Sequence, residues 1–176
     1  MITKAIFLDR DGVINQVVMR DGKPGSPRTS AEFEFELGVE DELQRLRAAG
    51  FKLFVATNQP DIARGLLSIQ ALETMTQRVV AKCRPDGIKI CPHDDRDRCE
   101  CRKPKPGMLT ELAREHGIDL AQAYLIGDSR KDVMAAKAAG SRAIILDRAY
   151  NHGEPADWRV TDLKRAVDLI LRETAK

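Results

Sequence analysis

Residues 5–13 read AIFLDRDGV, four apolar residues followed at once by Asp9, Arg10, Asp11 and Gly12. A short apolar run closed by charge has the length and composition of a strand buried on both faces. Four more runs of this kind follow at KLFVA (52–56), GIKIC (87–91), AYLIG (123–127) and RAIIL (142–146). The stretches between them carry the 3.6-residue period of helices instead. VEDELQRLRAAG places Val39, Leu43, Leu46 and Ala49 on one stripe, and after a Ser68 N-cap the next segment does the same with Leu72, Met75, Val79 and Cys83. MLTELAREHG and SRKDVMAAKAAG each end in a glycine, and LKRAVDLILRE supplies a last helix. Strands alternating with helices predict an α/β fold, an open doubly wound parallel sheet covered on both faces. The segment from Asn15 to Leu37 reads as loop and is too short for a second folded unit, so no cap domain is expected and residues 1–176 are read as one domain.

Composition narrows the function classes. With 43% apolar and 32% charged residues and no apolar run near the roughly 20 residues that a bilayer span needs, a membrane protein is not expected. The N-terminus lacks the features of a signal peptide, which places the chain in the cytoplasm. A net charge of +2, with basic and acidic residues interleaved and only 5% aromatics, gives nucleic-acid binding little support. A monomer acting on a small molecule is the expectation.

The strand ends carry the chemistry. The first run ends in Asp9, the second leads into Thr57 and Asn58, and the fourth leads into Asp128, while ligands of open α/β sheets bind outside the carboxyl ends of strands. Any one polar strand end is ordinary; three that converge on one crevice define a site. Asp9 and Asp11 flank one residue, and Gly12 permits the tight turn after them. Two neighbouring carboxylates repel, so a divalent cation is their natural counterion and their roles should diverge, one a nucleophile and the other an acid and base. Asp128, with Asp132 one helical turn on, adds hard oxygen ligands suited to Mg²⁺. Beside a hydroxyl, an amide and a lysine, this is a phosphoryl-transfer constellation.

FLDRDGV, TNQ, RKPKPG and GDSRKD resemble, in order, the four motifs of the haloacid dehalogenase superfamily of phosphohydrolases, and they run from residue 7 to 132. The resemblance implies that Asp9 attacks phosphorus to form an aspartyl-phosphate and that Asp11 protonates the leaving alkoxide and then activates water. It implies that Thr57, Asn58 and Lys103 hold the phosphate, and that Mg²⁺ is bound by Asp9, the backbone carbonyl of Asp11, and Asp128.

Cys91, His93, Cys99 and Cys101 offer three thiolates and an imidazole, a closed set that suits a structural Zn²⁺ rather than a catalytic one. Disulfides are the competing account, and a cytoplasmic location disfavours them. Closing the polar loop DDRDR around a metal would aim Arg102 and Lys103, which follow immediately. Cys83, outside the cluster, reads as a buried thiol. Within the superfamily, a Cys-Pro-His loop running into CRKP resembles two branches, the heptose bisphosphate phosphatases and the histidinol-phosphate phosphatases. TNQPDIARG, FEFELGV, KPKPGML and the late ADW resemble the former; the five-residue spacer between His93 and Cys99 resembles the latter. With no cap, Arg64 and Arg102 are the cations at the rim expected to meet a second phosphate of a sugar bisphosphate. A receiver-type phosphoacceptor module is the non-enzymatic alternative, and Asp11, which would hasten loss of an acyl-phosphate, argues against it. His116 and His152 are read as surface or helix-end residues.

Overall fold

The computed structural model describes residues 4–174. In chain order the elements are β1 (Ala5–Leu8), β2 (Val18–Arg20), β3 (Lys23–Gly25), α1 (Val39–Ala48), β4 (Lys52–Asn58), α2 (Ile69–Cys83), β5 (Gly87–Cys91), α3 (Gly107–His116), β6 (Tyr124–Gly127), α4 (Arg130–Ala139), β7 (Arg142–Leu146), β8 (Trp158–Val160) and α5 (Leu163–Thr174). All five strands and all five helices expected from the sequence are present. Six strands form a parallel sheet in the order β5-β4-β1-β6-β7-β8. The chain winds outward from β1 on one side and then on the other, so the order reverses at β1.

Alternation along each strand builds two cores. Ile6 and Leu8 face a cluster made with α1, α2 and α5, while Ala5 and Phe7 face a second cluster made with α3 and α4. α5 is the plainest case: Leu163, Ala166, Val167 and Ile170 recur at helical spacing and are all buried, and each larger one contributes roughly 1.5–3 kcal/mol through burial. An ion pair from Arg45 to Asp168 at 2.6 Å joins α1 to α5. Ser68 caps α2 by accepting from the Ala71 N–H, as its position predicts. His116 is the exposed last residue of α3, a helix-end residue as expected, and its ring also lies against Phe54 with centroids 4.7 Å apart.

The structure adds two features to the sequence reading. The expected loop contains the β2–β3 hairpin, and a sixth strand, β8, extends the sheet beside β7. No cap domain is evident, since only the small hairpin and α1 lie between β1 and β4. No helix among the described residues is long and apolar enough to cross a membrane.

Candidate active site

The reversal at β1 creates a crevice over the carboxyl ends of β4, β1 and β6. Asp9 follows β1, and its N–H donates to Ile126 O of the neighbouring strand at 2.9 Å. Thr57 and Asn58 are the last residues of β4, Asp128 follows β6, and Lys103 enters from the segment after β5. The cavity there has a volume of about 650 Å³ and is lined by Asp9, Asp11, Asn58, Arg64, Arg102, Lys103, Asp128 and Tyr150, among others. Of the residues expected to act in catalysis or to hold phosphate or Mg²⁺, all line the cavity except Thr57, which is buried behind the wall.

Lys103 is the electrostatic centre. Its ammonium donates to Ala56 O at 2.8 Å and Asp132 Oδ1 at 2.5 Å, and pairs with Asp9 Oδ1 at 3.0 Å. Burial alone would favour the neutral amine, but the charges of Asp132 and Asp9 outweigh it and hold the pKa above the ordinary lysine value. Asn58 places this lysine: its Nδ2 donates to Lys103 O at 2.9 Å and its Oδ1 accepts from Lys103 N at 3.1 Å. Asn58 is thus bonded to the backbone of Lys103 as well as lining the cavity. Asp132 is fixed by Ser129, whose N–H and hydroxyl both donate to its Oδ2 at the first turn of α4. With its oxygens occupied by Ser129 and Lys103, Asp132 positions the lysine.

Asp9, Asp128 and Asp132 bring carboxylate oxygens within 4.8 Å of one another. Burial, opposed by Lys103 and reinforced by Asp132 and Asp11, pushes the Asp9 pKa up to about 7. Burial and the repulsion of Asp9 raise Asp128 well above the carboxylate range. A cation between Asp9 and Asp128 would reverse both shifts, so the donor set fits a hard divalent ion. Gly12 keeps the space open: its φ is +81°, and a Cβ there would lie 2.0 Å from Asp128 Oδ2. The segment after β7 supports the same carboxylate, with Tyr150 donating its hydroxyl to Asp128 Oδ2 and Asn151 Nδ2 donating to Asp128 O at 2.6 Å.

Asp11 points into a different environment. It accepts from Arg10 Nε at 3.0 Å, Arg10 Nη2 at 2.9 Å, Asn15 Nδ2 at 2.9 Å, Ser26 Oγ at 2.7 Å and Gln59 Nε2 at 2.8 Å. Burial pushes its pKa up, but the Arg10 guanidinium and these donors outweigh burial and hold it below the ordinary value. The two aspartates of the DRD stretch therefore diverge, as like-charged neighbours in different surroundings must.

Beside the crevice, the side-chain donors of Cys91, His93, Cys99 and Cys101 meet. The sulfur separations are 3.6 Å (Cys91 to Cys99) and 3.5 Å (Cys101 to Cys99), and His93 Nδ1 is 3.6 Å from Cys91 Sγ and 3.3 Å from Cys101 Sγ. A disulfide requires about 2.05 Å. Tetrahedral Zn²⁺ with Zn–S of about 2.3 Å and Zn–N of about 2.0 Å implies edges of roughly 3.8 and 3.5 Å, so the cluster has the size of a zinc cage. The acidic residues of this loop grip the rim: Arg64 donates a fork to Asp94 at 2.8 Å on both arms and reaches Asp61 at 3.3 Å, and Arg102 donates to Asp95 at 2.7 Å and to His93 O at 3.2 Å. Both arginines line the cavity as expected, and Arg64 has its fork committed to carboxylates.

Several residues of this site were not singled out from the sequence. Gln59 adjoins Thr57-Asn58, Arg10 sits inside the DRD stretch, and Tyr150 follows β7, so extending the strand-end rule to that strand would have found it. Asn15 and Ser26 gave no local signal.

An aspartate pair after the first strand, a buried lysine and a third carboxylate on a parallel sheet define a haloacid dehalogenase-like hydrolase; a family model described as HAD-hydrolase-like matches residues 100–160. The chain is 34% identical to a D-glycero-beta-D-manno-heptose-1,7-bisphosphate 7-phosphatase of Helicobacter pylori, over 95% of this chain and 97% of that one. It is 37% identical to the protein of the same name from Escherichia coli K12, over 93% of each. A crystal structure of D,D-heptose 1,7-bisphosphate phosphatase from B. bronchiseptica, complexed with magnesium and phosphate, is 33% identical and superimposes with a TM-score of 0.84, covering 97% of this chain and 99% of that one. The chain belongs to this family of heptose bisphosphate phosphatases.

Proposed function

We propose that the protein hydrolyses the 7-phosphate of D-glycero-D-manno-heptose 1,7-bisphosphate, through an aspartyl-phosphate on Asp9. The observation that carries this reading is the extent of the likeness, relatives of that name aligned along nearly the whole chain, with the Asp9, Lys103 and Asp128 constellation at the strand ends. The anomer is taken from the relatives, whose names specify the β form. The histidinol-phosphate alternative drew its support from the short spacer between His93 and Cys99, and the relatives favour the longer stretches TNQPDIARG and KPKPGML as the better guide to substrate. The basic side chains lining the cavity, Arg20, Lys23, Arg28, Arg64, Arg102, Arg130 and Lys131 besides Lys103, suit a doubly phosphorylated sugar.

In the reaction, a carboxylate oxygen of Asp9 attacks phosphorus as the bond to the C7 oxygen breaks. Asp11, which Arg10 and its other donors favour as the carboxylate in the free site, takes up a proton before giving it to that oxygen, and the sugar leaves as the alcohol. Asp11 then takes a proton from water as the water oxygen attacks phosphorus, and the bond to Asp9 breaks to release phosphate. Lys103 opposes the burial and the acidic neighbours that raise the Asp9 pKa, and it offers positive charge to the phosphoryl oxygens. Thr57, which ends β4 with Asn58 and is buried beside the cavity, is assigned a hydroxyl contact to the phosphoryl group on the resemblance alone. Asp9, the backbone carbonyl of Asp11, and Asp128 would hold Mg²⁺, which supplies charge neutralisation for the phosphoryl oxygens when bound.

Zn²⁺ in the Cys91, His93, Cys99 and Cys101 cage would fix the loop from which Asp94 and Asp95 hold Arg64 and Arg102 at the rim. Cysteines at metal-ligand rather than disulfide separation fit a reducing, cytoplasmic setting. The test is kcat/KM, with Mg²⁺ and zinc-replete protein, for the β and α anomers of the heptose bisphosphate and for histidinol phosphate side by side. Preference for a heptose bisphosphate by two decades or more is expected. Preference for histidinol phosphate would overturn the reading.

A further inference from the structure

Gln59 is fully buried and bridges two parts of the site that the motifs treat as separate. Its Nε2 donates to Asp11 Oδ2 at 2.8 Å and to Thr57 Oγ1 at 3.0 Å, one hydrogen of the amide to each. Its backbone N–H donates to Cys91 O at 2.7 Å, which fixes where the side chain starts at the mouth of the cysteine loop. A hydroxyl that accepts from an amide has its own hydrogen left to donate, so Gln59 leaves the buried Thr57 hydroxyl with a hydrogen to give. On the other side, Asp11 Oδ2 is shared between Gln59 and Ser26 of the segment after β3, which fixes the carboxylate plane relative to β1.

The burial pattern argues against a purely architectural role. Gln59 Oε1 and Asn15 Oδ1 are buried without a hydrogen-bond partner, and Arg10 Nη1 is likewise unpaired; all three belong to side chains that donate to Asp11. An apolar side chain of the same length would leave no orphaned acceptor but would take one donor from Asp11 and one from Thr57, so what the amide provides is those two bonds. One of them is to the acid and base.

We propose that Gln59 is a positioning residue that holds the carboxylate of Asp11 and the hydroxyl of Thr57 in register for phosphoryl transfer through the two hydrogens of one amide. It acts on the reaction through Asp11, so its effect depends on how much the leaving group needs a proton. An alkoxide needs one and a nitrophenolate does not, and kcat/KM reports the step in which Asp9 is phosphorylated.

The experiment compares Gln59→Met and Gln59→Glu with the wild type on the heptose bisphosphate and on 4-nitrophenyl phosphate, each pair of rates taken from one preparation. The ratio of the two kcat/KM values cancels the fraction of folded protein, so loss of stability cannot imitate the effect. For Gln59→Met the sugar reaction is expected to fall by roughly ten- to a hundredfold, at or below the range for general acid catalysis, with the aryl reaction changed by less than about threefold. Equal changes in both, or no change in either, would overturn the inference. The inference rests on the proposed phosphatase reaction, and the two fail separately. A wild type that ignores the heptose bisphosphate defeats the substrate assignment, while the ratio is still read with a simple alkyl phosphate that it does hydrolyse.

Discussion

Replacing Lys103 by methionine removes the one ammonium that faces Asp9 and Asp132. The side chains of Lys103 and Asp132 are each 2% exposed, so the pair is out of water and is not screened like a surface salt bridge. Removing one partner of such a pair leaves the other charge buried and costs about 3–5 kcal/mol. Against a typical domain stability of about 5–15 kcal/mol, this is a large fraction. For a chain of this size it corresponds to a fall in Tm of roughly 6–20 °C. The assay is urea unfolding followed by circular dichroism, in zinc-replete buffer without Mg²⁺, for Lys103→Met, Asp132→Asn and the double variant. Because Asp132 loses its charge in the second variant, the double variant should be less unstable than the sum of the singles by about 1–3 kcal/mol. Additivity within about 0.5 kcal/mol would refute the account of Lys103 as the neutralising centre.

Protons and Mg²⁺ should compete for Asp9 and Asp128. Both carboxylates are raised in the folded protein, Asp9 up to about 7, so their stabilising protons are present at low pH and are lost as pH rises through that range. The increase in Tm on adding Mg²⁺ is therefore expected to be small near about pH 5 and largest above about pH 7, and a pH-independent increase would contradict these shifts. Metal analysis of protein purified without chelator should find about one zinc per chain. Cys99→Ser should speed amide exchange across residues 92–105 and lower kcat/KM by about 10- to 100-fold; unchanged exchange would show that the loop stands without the metal. Arg102→Ala should lower kcat/KM on the bisphosphate by more than about twofold while sparing a monophosphate, and equal effects on both would remove its role at the second phosphate.

The parts of the fold that were legible are those written in local patterns. β1 could be read from AIFL because a strand buried on both faces needs continuous apolar residues, and α5 from the spacing of Leu163, Val167 and Ile170. β8 has only three residues, half-buried at Trp158 and Val160, and its pairing with Ile144 and Leu146 is a long-range fact that no local pattern encodes. The β2–β3 hairpin, with Pro24 and Gly25 in three-residue strands, resembles loop in sequence, yet it leads to Ser26, which reaches Asp11. In the site, residue types with fixed chemistry were readable: Asp9, Asp128, Lys103 and the cluster of Cys91, His93, Cys99 and Cys101. What could not be read was which partner each long side chain takes. Arg64 was assigned to a substrate phosphate from its place at the rim, and the fork proves to be held by Asp94, thirty positions away. Asn58 is a similar case, because its bonds to the Lys103 backbone exist only once the segment after β5 has folded back over β4.

The measurement that bears most directly on the central claim is the site of phosphorylation during turnover. Wild type and Asp11→Asn are mixed with the heptose bisphosphate, quenched in acid, reduced with borohydride and mapped by mass spectrometry. A reduced acyl-phosphate at Asp9, accumulating further in Asp11→Asn because water is no longer activated, is the predicted result. An unmodified Asp9 in a preparation that is turning over substrate, or a label on another residue, would contradict the account.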